Sequence, residues 1–211
     1  MQRLRSNDIP MHKKYHKSHY KKEKDMKKTL FTLLMATLCC VATVSAQKNV
    51  PKNYQKKYTK YLMPCFVDDQ YVDYRQISNI DWMEFQFWLE HVFGADSKEY
   101  KASVPDKEVL RQQLPEKIAE VYSNSPFYKD YPVLGVSREQ AVAYCKWRTD
   151  RVAEKMLEDM RFIQYDPNQT RDNYFTLDNY KAVEGLQFLR FSLPTDQHET
   201  RYGFRCTAVW R

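Results

Sequence analysis

The feature that most constrains this chain is an apolar run, Leu30–Val44, which follows Lys27 and Lys28 and ends at Val44-Ser45-Ala46. A short basic region, an apolar region and a small residue at the cleavage position form the layout of a secretory signal peptide. The run is shorter than the ~20 residues that a membrane-spanning helix needs. We therefore expect a cleavable signal at residues 26–46 and an exported protein that begins near Gln47.

Two other interpretations of this run remain open. The first is a retained membrane anchor, which the length of the run disfavours. The second is lipid attachment at Cys39 or Cys40. Bacterial cysteines that carry lipid usually follow a small residue, whereas here Leu38 precedes Cys39 and Cys39 precedes Cys40.

Residues 1–25 lie upstream of the signal and contain the basic run HKKYHKSHYKKEK. Its histidines, His12, His16 and His19, are compatible with a metal or nucleic-acid contact. A long polar extension before a signal is unusual, however. Met26 is therefore the favoured start, which would leave this upstream extension untranslated. If translation begins at Met1, the extension is removed with the signal.

Removal of the first 46 residues changes the charge of the protein. The whole chain carries a formal charge of +7, but residues 47–211 contain 24 basic and 24 acidic side chains. Nucleic-acid binding through bulk positive charge is therefore not expected. The remaining basic stretch, Lys48–Lys60, is poor in apolar residues and predicts a solvated linker over residues 47–62.

One domain is expected over residues 63–211, which is long enough to bury a core. The four glycines, Gly94, Gly135, Gly185 and Gly203, are too scattered for a phosphate-binding loop. After signal removal the cysteines are Cys65, Cys145 and Cys206. In an oxidising compartment a disulfide is expected, which would leave one of the three unpaired.

Local patterns predict the order of the elements. Strand and turn are expected over 61–74, a helix capped by Ser78 runs to about Phe93, and a loop follows over 95–106. A second helical segment, 107–122, is interrupted at Pro115. A short strand is expected at Val133–Val136, and a capping box at Ser137–Gln140 opens a long helix to about Met160. After a loop over 163–184, strands are expected at 186–193 and 203–210.

Apolar residues at helical spacing define one face of each main helix. The first face contains Trp82, Phe85, Leu89 and Val92, with Met83 and Phe87 beside it. The second contains Ala141, Tyr144, Cys145, Arg148, Val152 and Met156. Both faces are expected to pack in the core.

Three segments resemble a known family. They are ISNIDWMEFQFWLE (77–90), YPVLGVSREQAVAYCKWRTDRV (131–152) and FSLPTDQHE (191–199) followed by GFRC (203–206). In this order they are similar to motifs of the formylglycine-generating enzyme, or sulfatase-modifying factor, family. The extension WRTDRV and the sequence ISNI resemble the branch that contains gliding-motility and type IX secretion lipoproteins of Bacteroidetes.

The resemblance implies an α+β fold, a shortened formylglycine-generating-enzyme-like (C-type-lectin-like) fold with small mixed sheets, two or three helices and much irregular chain. In the family a long catalytic section, with redox-active cysteines in true enzymes, precedes the closing GFR strand. Here Glu199 is followed by only three residues before Gly203, so that section is absent. Ser192 also replaces the arginine that the family motif carries.

The resemblance further implies a structural disulfide. In the eukaryotic enzymes of the family, the cysteine of the YC motif is bridged to the cysteine of GFRC, and these positions correspond to Cys145 and Cys206. Two buried free thiols are the alternative. Cys65 has no counterpart in the family, and either burial or a bridge to another chain is open to it.

Three candidate sites have simpler structural interpretations. Cys145 with His91 or His198 as a base would form a nucleophile, but Cys145 lies on the buried helix face. Asp68, Asp69 and Asp73 lack the spacing of a calcium loop. A polar network of Trp147, Arg148 and Asp150 is expected to be structural. No catalytic residue, metal site or cofactor is therefore assigned.

We expect a non-catalytic exported protein of the periplasm or outer membrane. It would use the domain to bind a protein partner of the envelope, within a gliding or type IX secretion assembly, without nucleic acid and without a membrane span after signal cleavage. A divergent formylglycine-generating-type enzyme is the first alternative. A glycan- or ligand-binding lectin-like module is the second.

Overall fold

Two serine-capped helices and one small sheet organise the part of the chain that the computed structural model describes, residues 50–65, 70–180 and 185–211. All of these residues fall within one unit, Gln47–Arg211. The helices are α1 (Lys52–Tyr58), α2 (Asn79–Phe93), α3 (Lys98–Ala102), α4 (Lys107–Gln113), α5 (Glu116–Ala119) and α6 (Arg138–Asp159), and the strands are β1 (Leu62–Pro64), β2 (Tyr71–Asp73), β3 (Leu189–Ser192) and β4 (Thr207–Trp210). Short 3₁₀ helices occur at Pro126–Tyr128 and Leu177–Asn179.

The two long helices begin where their capping residues predict. Ser78 accepts a hydrogen bond from the amide of Asp81, whose carboxylate accepts the amide of Ser78 in return. Ser137 and Gln140 make the same reciprocal pair at the start of α6. Each capping box satisfies amides that the helix itself leaves free, so both starts are determined locally.

The sheet has the order β1-β2-β4-β3, and every neighbouring pair is antiparallel. The α+β class is confirmed, but the expected mixed sheets are wrong for the described residues, because β3 and β4 pair antiparallel as β1 and β2 do. Several short helices also accompany the two long ones, which exceeds the two or three that were expected. The likeness to the formylglycine-generating enzyme fold stays a prediction.

The main core lies between α2, α6 and the sheet and is rich in aromatic rings. Trp82 stacks on Tyr144 with ring centroids 5.5 Å apart, and Phe204 meets the edge of both rings. Burial of such rings is the largest hydrophobic contribution that single side chains make. The predicted face of α2 is confirmed at Trp82, Phe85, Leu89 and Val92, whereas Met83 and Phe87 are exposed.

Over its described part, residues 50–62, the basic segment is not a solvated linker. Val50 is buried in a second core cluster with Met156 and Leu157, and residues 52–58 form α1. The hydroxyl of Tyr54 donates to the carbonyl oxygen of Asp159 at 3.1 Å, and the Asp159 carboxylate accepts Tyr58 and Lys57. The expectation failed because the partners of this segment lie about a hundred residues later in the chain.

Two other local expectations differ from the structure. Val133–Val136 is buried but forms no strand, because its amides bond to separate segments: Val133 to the carbonyl of Ile77 and Gly135 to that of Arg201. The loop at 95–106 contains α3, which Ser97 caps. The interruption at Pro115 is confirmed, since it separates α4 from α5.

Candidate binding groove

A groove of about 480 Å³ lies between the β1–β2 hairpin, the start of α2 and the middle of α6. Tyrosines, a tryptophan, arginines and carboxylates line it. They are Tyr61, Tyr74, Tyr144, Trp147, Arg75, Arg148, Arg151, Asp73, Asp81 and Glu84, together with Gln76, Ile77 and Val152. We call this concavity the tyrosine–arginine groove.

Two exposed tyrosines form one wall of the groove. The amide of Tyr74 donates to the carbonyl of Tyr61 at 3.2 Å, which continues the pairing of Leu62 with Asp73 by one residue. Residues directly opposite each other in an antiparallel pair place their side chains on the same face. Tyr61 and Tyr74 therefore stand side by side, and they are 73% and 71% exposed.

A buried carboxylate holds the floor of the groove. Asp73 Oδ2 accepts Arg148 Nη1 at 2.8 Å and the amide of Cys206 at 2.9 Å. The Arg148 guanidinium also lies 4.1 Å from the centroid of the Phe191 ring. Burial lowers the pKa of Arg148, but the bond to Asp73 more than offsets this, and the pKa lies above its ordinary value.

The other two arginines of the groove are also paired with carboxylates. Arg75 makes a bidentate contact with Asp81, with Nη1–Oδ2 and Nη2–Oδ1 distances of 2.7 and 3.1 Å. Arg151 Nη1 donates to Glu154 at 2.6 Å. The Arg151 guanidinium also lies 4.6 Å from the centroid of the Trp88 ring. These contacts fix the guanidinium groups against the protein.

Glu84 differs from the other carboxylates of the groove. It lies on α2, is exposed, and has no ion-pair partner among the described residues. Partial desolvation of the carboxyl group raises the pKa of Glu84, and the negative charge of Asp81 raises it further. The positive charge of Arg75 has a smaller, opposite effect. A positive group placed beside Glu84 would relieve this repulsion.

A smaller concavity of about 390 Å³ lies between α6 and β3. Lys146 Nζ donates to Asp178 at 2.6 Å, and Arg190 Nη1 lies 3.9 Å from the same carboxylate. Lys146 is the main cause of a lowered pKa at Asp178. The opposite charges at this place are thus largely paired with each other.

The two cysteines of the predicted disulfide come together in the core. Cys145 on α6 and Cys206 beside β4 are buried, and their sulfur atoms are 3.1 Å apart. Burial raises the pKa of Cys206, and the contact with Cys145 raises it further. Burial of both sulfur atoms is unlike the accessible, electropositive setting of a reactive cysteine. The disulfide itself stays a prediction, and Cys65 is exposed rather than buried.

The remaining sequence candidates are dispersed. His91 Nε2 lies 3.2 Å from the carbonyl oxygen of Pro167, not beside Cys145. Asp150 accepts the amide of Leu177 at 2.9 Å, which is a structural contact. Asp73 pairs with Arg148, while Asp68 and Asp69 lie outside the described residues, as do the signal at 26–46 and the histidines of the upstream extension.

Neither a cluster of metal ligands nor a membrane-spanning helix occurs among the described residues. Across 50–65, 70–180 and 185–211, no three His, Cys, Asp or Glu side chains are grouped as ligands for a metal ion. In the same ranges no helix has both the length and the apolar character needed to cross a membrane.

The sequence did not identify the groove. Tyr61, Tyr74 and Arg75 belong to no motif, Glu84 lies in the segment 77–90 without a role assigned to it, and the abundance of tyrosine was the only available signal. Comparison with known proteins adds no assignment: no family model, no curated protein and no solved structure matches the chain.

Both edges of the sheet are poor sites for the addition of a partner strand. On β1, the amide of Leu62 bonds to the carbonyl of Thr59, and Pro64 has no amide hydrogen. On β3, the amide of Phe191 donates to Thr149 Oγ1 at 2.8 Å. Blocked edges of this kind disfavour strand pairing between chains. A ligand is therefore expected to use side chains in the groove.

Proposed function

We propose that this chain is a non-catalytic binding module of the bacterial cell envelope, and that it holds a protein partner in the tyrosine–arginine groove. The observation that carries the proposal is the pair Tyr61 and Tyr74, whose backbones are hydrogen-bonded to each other and whose side chains line the groove while each is more than two-thirds exposed. Tyrosine, tryptophan and arginine supply most of the binding energy at protein interfaces.

The construction of the groove also suits a binding surface. The arginines are held by carboxylates and by aromatic rings, so little side-chain freedom is lost when a partner arrives. The groove is concave and combines apolar rings with a few directed polar groups, as ligand sites usually do. These features suit a binding surface, and none of them implies a chemical reaction.

The envelope location rests on the sequence. The pattern at 26–46 supports export, and the resemblance to the gliding-motility and type IX secretion branch supports a place in such an assembly. The 3.1 Å separation of the Cys145 and Cys206 sulfurs supports the disulfide that an oxidising compartment would form. An oxidised pair would tie α6 to the end of the sheet, directly behind the groove.

A saccharide is a second candidate ligand. Exposed aromatic rings beside carboxylates and guanidinium groups offer both a stacking surface and hydrogen-bonding partners to hydroxyl groups. Binding of glycans to the purified protein, lost on Tyr74→Ala, would favour this candidate. The formylglycine-type reaction gains less support, since the section that carries the family's redox-active cysteines is absent between Glu199 and Gly203.

The test is site-specific photo-cross-linking in cells. A benzophenone analogue of phenylalanine replaces Tyr74 in one variant and Tyr165 in another, because Tyr165 is 70% exposed but does not line the groove. We expect a discrete cross-linked protein from position 74 and not from position 165. The same products from both positions, or none from position 74, would overturn the proposal.

A further inference from the structure

We propose that the tyrosine–arginine groove receives a lysine or arginine side chain of the partner, held between the carboxylate of Glu84 and the ring of Tyr74. This inference rests on the proposed function and names the chemistry that the groove would recognise. Three observations support it: the pairing of charges around the groove, the free carboxylate of Glu84, and the open ring of Tyr74.

The charges of the groove leave one acidic group unmatched. Arg75, Arg148 and Arg151 each have a carboxylate within hydrogen-bonding distance. Asp73 and Asp81 are two of those carboxylates, and Glu154 is the third. Glu84 is the groove carboxylate that forms no ion pair with a described residue, since Arg75 is held by Asp81 and acts on Glu84 only from beyond pairing distance. A ligand with a positive group would supply the partner that Glu84 lacks.

An anionic ligand fits the same arrangement poorly. The charge of Arg148 is already balanced by Asp73, and an anion that drew Arg148 away would leave a buried carboxylate unpaired in the core. Breaking a buried pair on one side is costly because the remaining charge stays desolvated. Arg75 is similarly engaged by both oxygens of Asp81. The geometry thus favours a cation over a phosphate or a carboxylate.

The tyrosine wall adds a second attraction for a cation. The ring of Tyr61 already has the ammonium of Lys60 at 5.0 Å from its centroid. No cation lies over the ring of Tyr74 within the part of the chain that the structure describes, and this ring is 71% exposed. A cation over an exposed ring gains about 0.5–1 kcal/mol. Tyr74 is therefore the ring that a partner side chain would use.

The test pans a random heptapeptide library against the full chain, expressed with its own N-terminus and purified from the envelope fraction. The Glu84→Gln variant removes the charge and keeps the shape of the side chain. Glu90→Gln is the matched control, because Glu90 is an exposed glutamate on the same helix that does not line the groove. Tyr74→Ala tests the ring.

We expect the selected peptides to be enriched in lysine or arginine at one position. Their affinity should fall about fivefold in Glu84→Gln and about fivefold in Tyr74→Ala, and it should weaken with added salt. Glu90→Gln should bind like the unchanged protein. Thermal unfolding of each variant shows that the fold is kept.

Selection of peptides without a basic residue, or equal binding by Glu84→Gln and Glu90→Gln, would overturn this inference. The two proposals fail separately. If cross-linking at position 74 captures a partner whose binding needs Tyr74 but not the charge of Glu84, the cation inference is wrong and the proposed function stands. If position 74 captures no protein, the proposed function is wrong, and the cation inference that rests on it is wrong as well.

Discussion

Asp73 and Arg148 are 75 positions apart in the chain, yet their side chains meet at 2.8 Å beneath the groove. The same oxygen of Asp73 also accepts the amide of Cys206 at 2.9 Å. One carboxylate thereby joins β2, α6 and the residue that leads into β4. Because Asp73 is buried and Arg148 nearly so, the pair is shielded from the solvent that weakens surface ion pairs.

The first prediction concerns this pair. Asp73→Asn keeps the size of the side chain but leaves the Arg148 guanidinium without a counter-charge in a poorly hydrated place. We expect the free energy of unfolding to fall by about 2–4 kcal/mol, measured by urea denaturation. Asp96→Asn is the control, since the Asp96–Lys101 pair is fully solvent-exposed and its loss should leave the midpoint unchanged.

The second prediction concerns Cys145 and Cys206. Protein exported to an oxidising compartment should show Cys65 as the reactive thiol of residues 47–211 after denaturation, because the other two are bridged. The Cys145→Ala, Cys206→Ala double variant should then lose about 3–4 kcal/mol relative to the oxidised protein, from the 61-residue separation that the bridge closes. Cys65→Ser should have no effect. Three reactive thiols in the exported protein would contradict the bridge.

The third prediction uses two glycines with positive φ. A β-carbon at Gly135 would lie 2.5 Å from the backbone oxygen of Asp106, whereas one at Gly94 would meet nothing within 4 Å. Gly94→Ala should therefore cost only the strain of a backbone conformation (φ 91°, ψ 152°) that essentially only glycine adopts, about 1–3 kcal/mol. Gly135→Ala should lower the free energy of unfolding by about a further 1–3 kcal/mol, because its β-carbon is also overpacked against the backbone of Asp106. Equal losses in urea denaturation would show that the contact with Asp106 is relieved easily.

The fourth prediction concerns the anchoring of the N-terminal segment. Val50→Ala removes buried methyl groups from the cluster that contains Met156 and Leu157, and it should destabilise the protein by about 1.5–3 kcal/mol. Lys52→Ala is the control, because Lys52 is exposed in the adjoining helix. If residues 50–58 were a free linker, both variants would unfold at the same urea concentration.

The fifth prediction is a pH dependence. Burial raises the pKa of Asp81, but hydrogen bonds from Arg75 and Ser78 outweigh it and hold that pKa below its ordinary value of 3.8. The stability that the carboxylate supplies is therefore present above this value and is lost as pH falls through the lowered pKa.

Asp81→Asn should accordingly cost about 1 kcal/mol near neutral pH and progressively less as the solution becomes more acidic. The measurement is urea denaturation of both proteins along a pH series. A constant difference between them at every pH would contradict the role of the ionised carboxylate. Asp96→Asn again serves as the control, because the Asp96 carboxylate is exposed and does not cap α2.

Several elements could be predicted because their causes are adjacent in the chain. Ser78 with Asp81 and Ser137 with Gln140 start the two long helices through contacts that span three residues. Pro115 interrupts the second helical segment since proline lacks the amide that a helix needs. The periodicity of Trp82, Phe85, Leu89 and Val92 identified the buried face of α2.

The groove could not be predicted, since each of its parts depends on distant partners. Tyr61 and Tyr74 form a wall only because β1 and β2 pair in one register. Val133–Val136 has the composition of a strand, but the amides of Val133 and Gly135 donate to the carbonyl oxygens of Ile77 and Arg201. Lys48–Lys60 has the composition of a linker, but its described part from residue 50 onward packs against residues near 159.

The sequence by itself determined the α+β class, the starts of both long helices, the neutrality of residues 47–211 and the meeting of Cys145 with Cys206 that the resemblance implied. Only the tertiary structure decided the antiparallel order β1-β2-β4-β3, the docking of α1 and the unmatched carboxylate of Glu84. The physical reason is range: caps and periodicity act within a few residues, whereas ion pairing and strand pairing depend on which distant segments the folded core brings together.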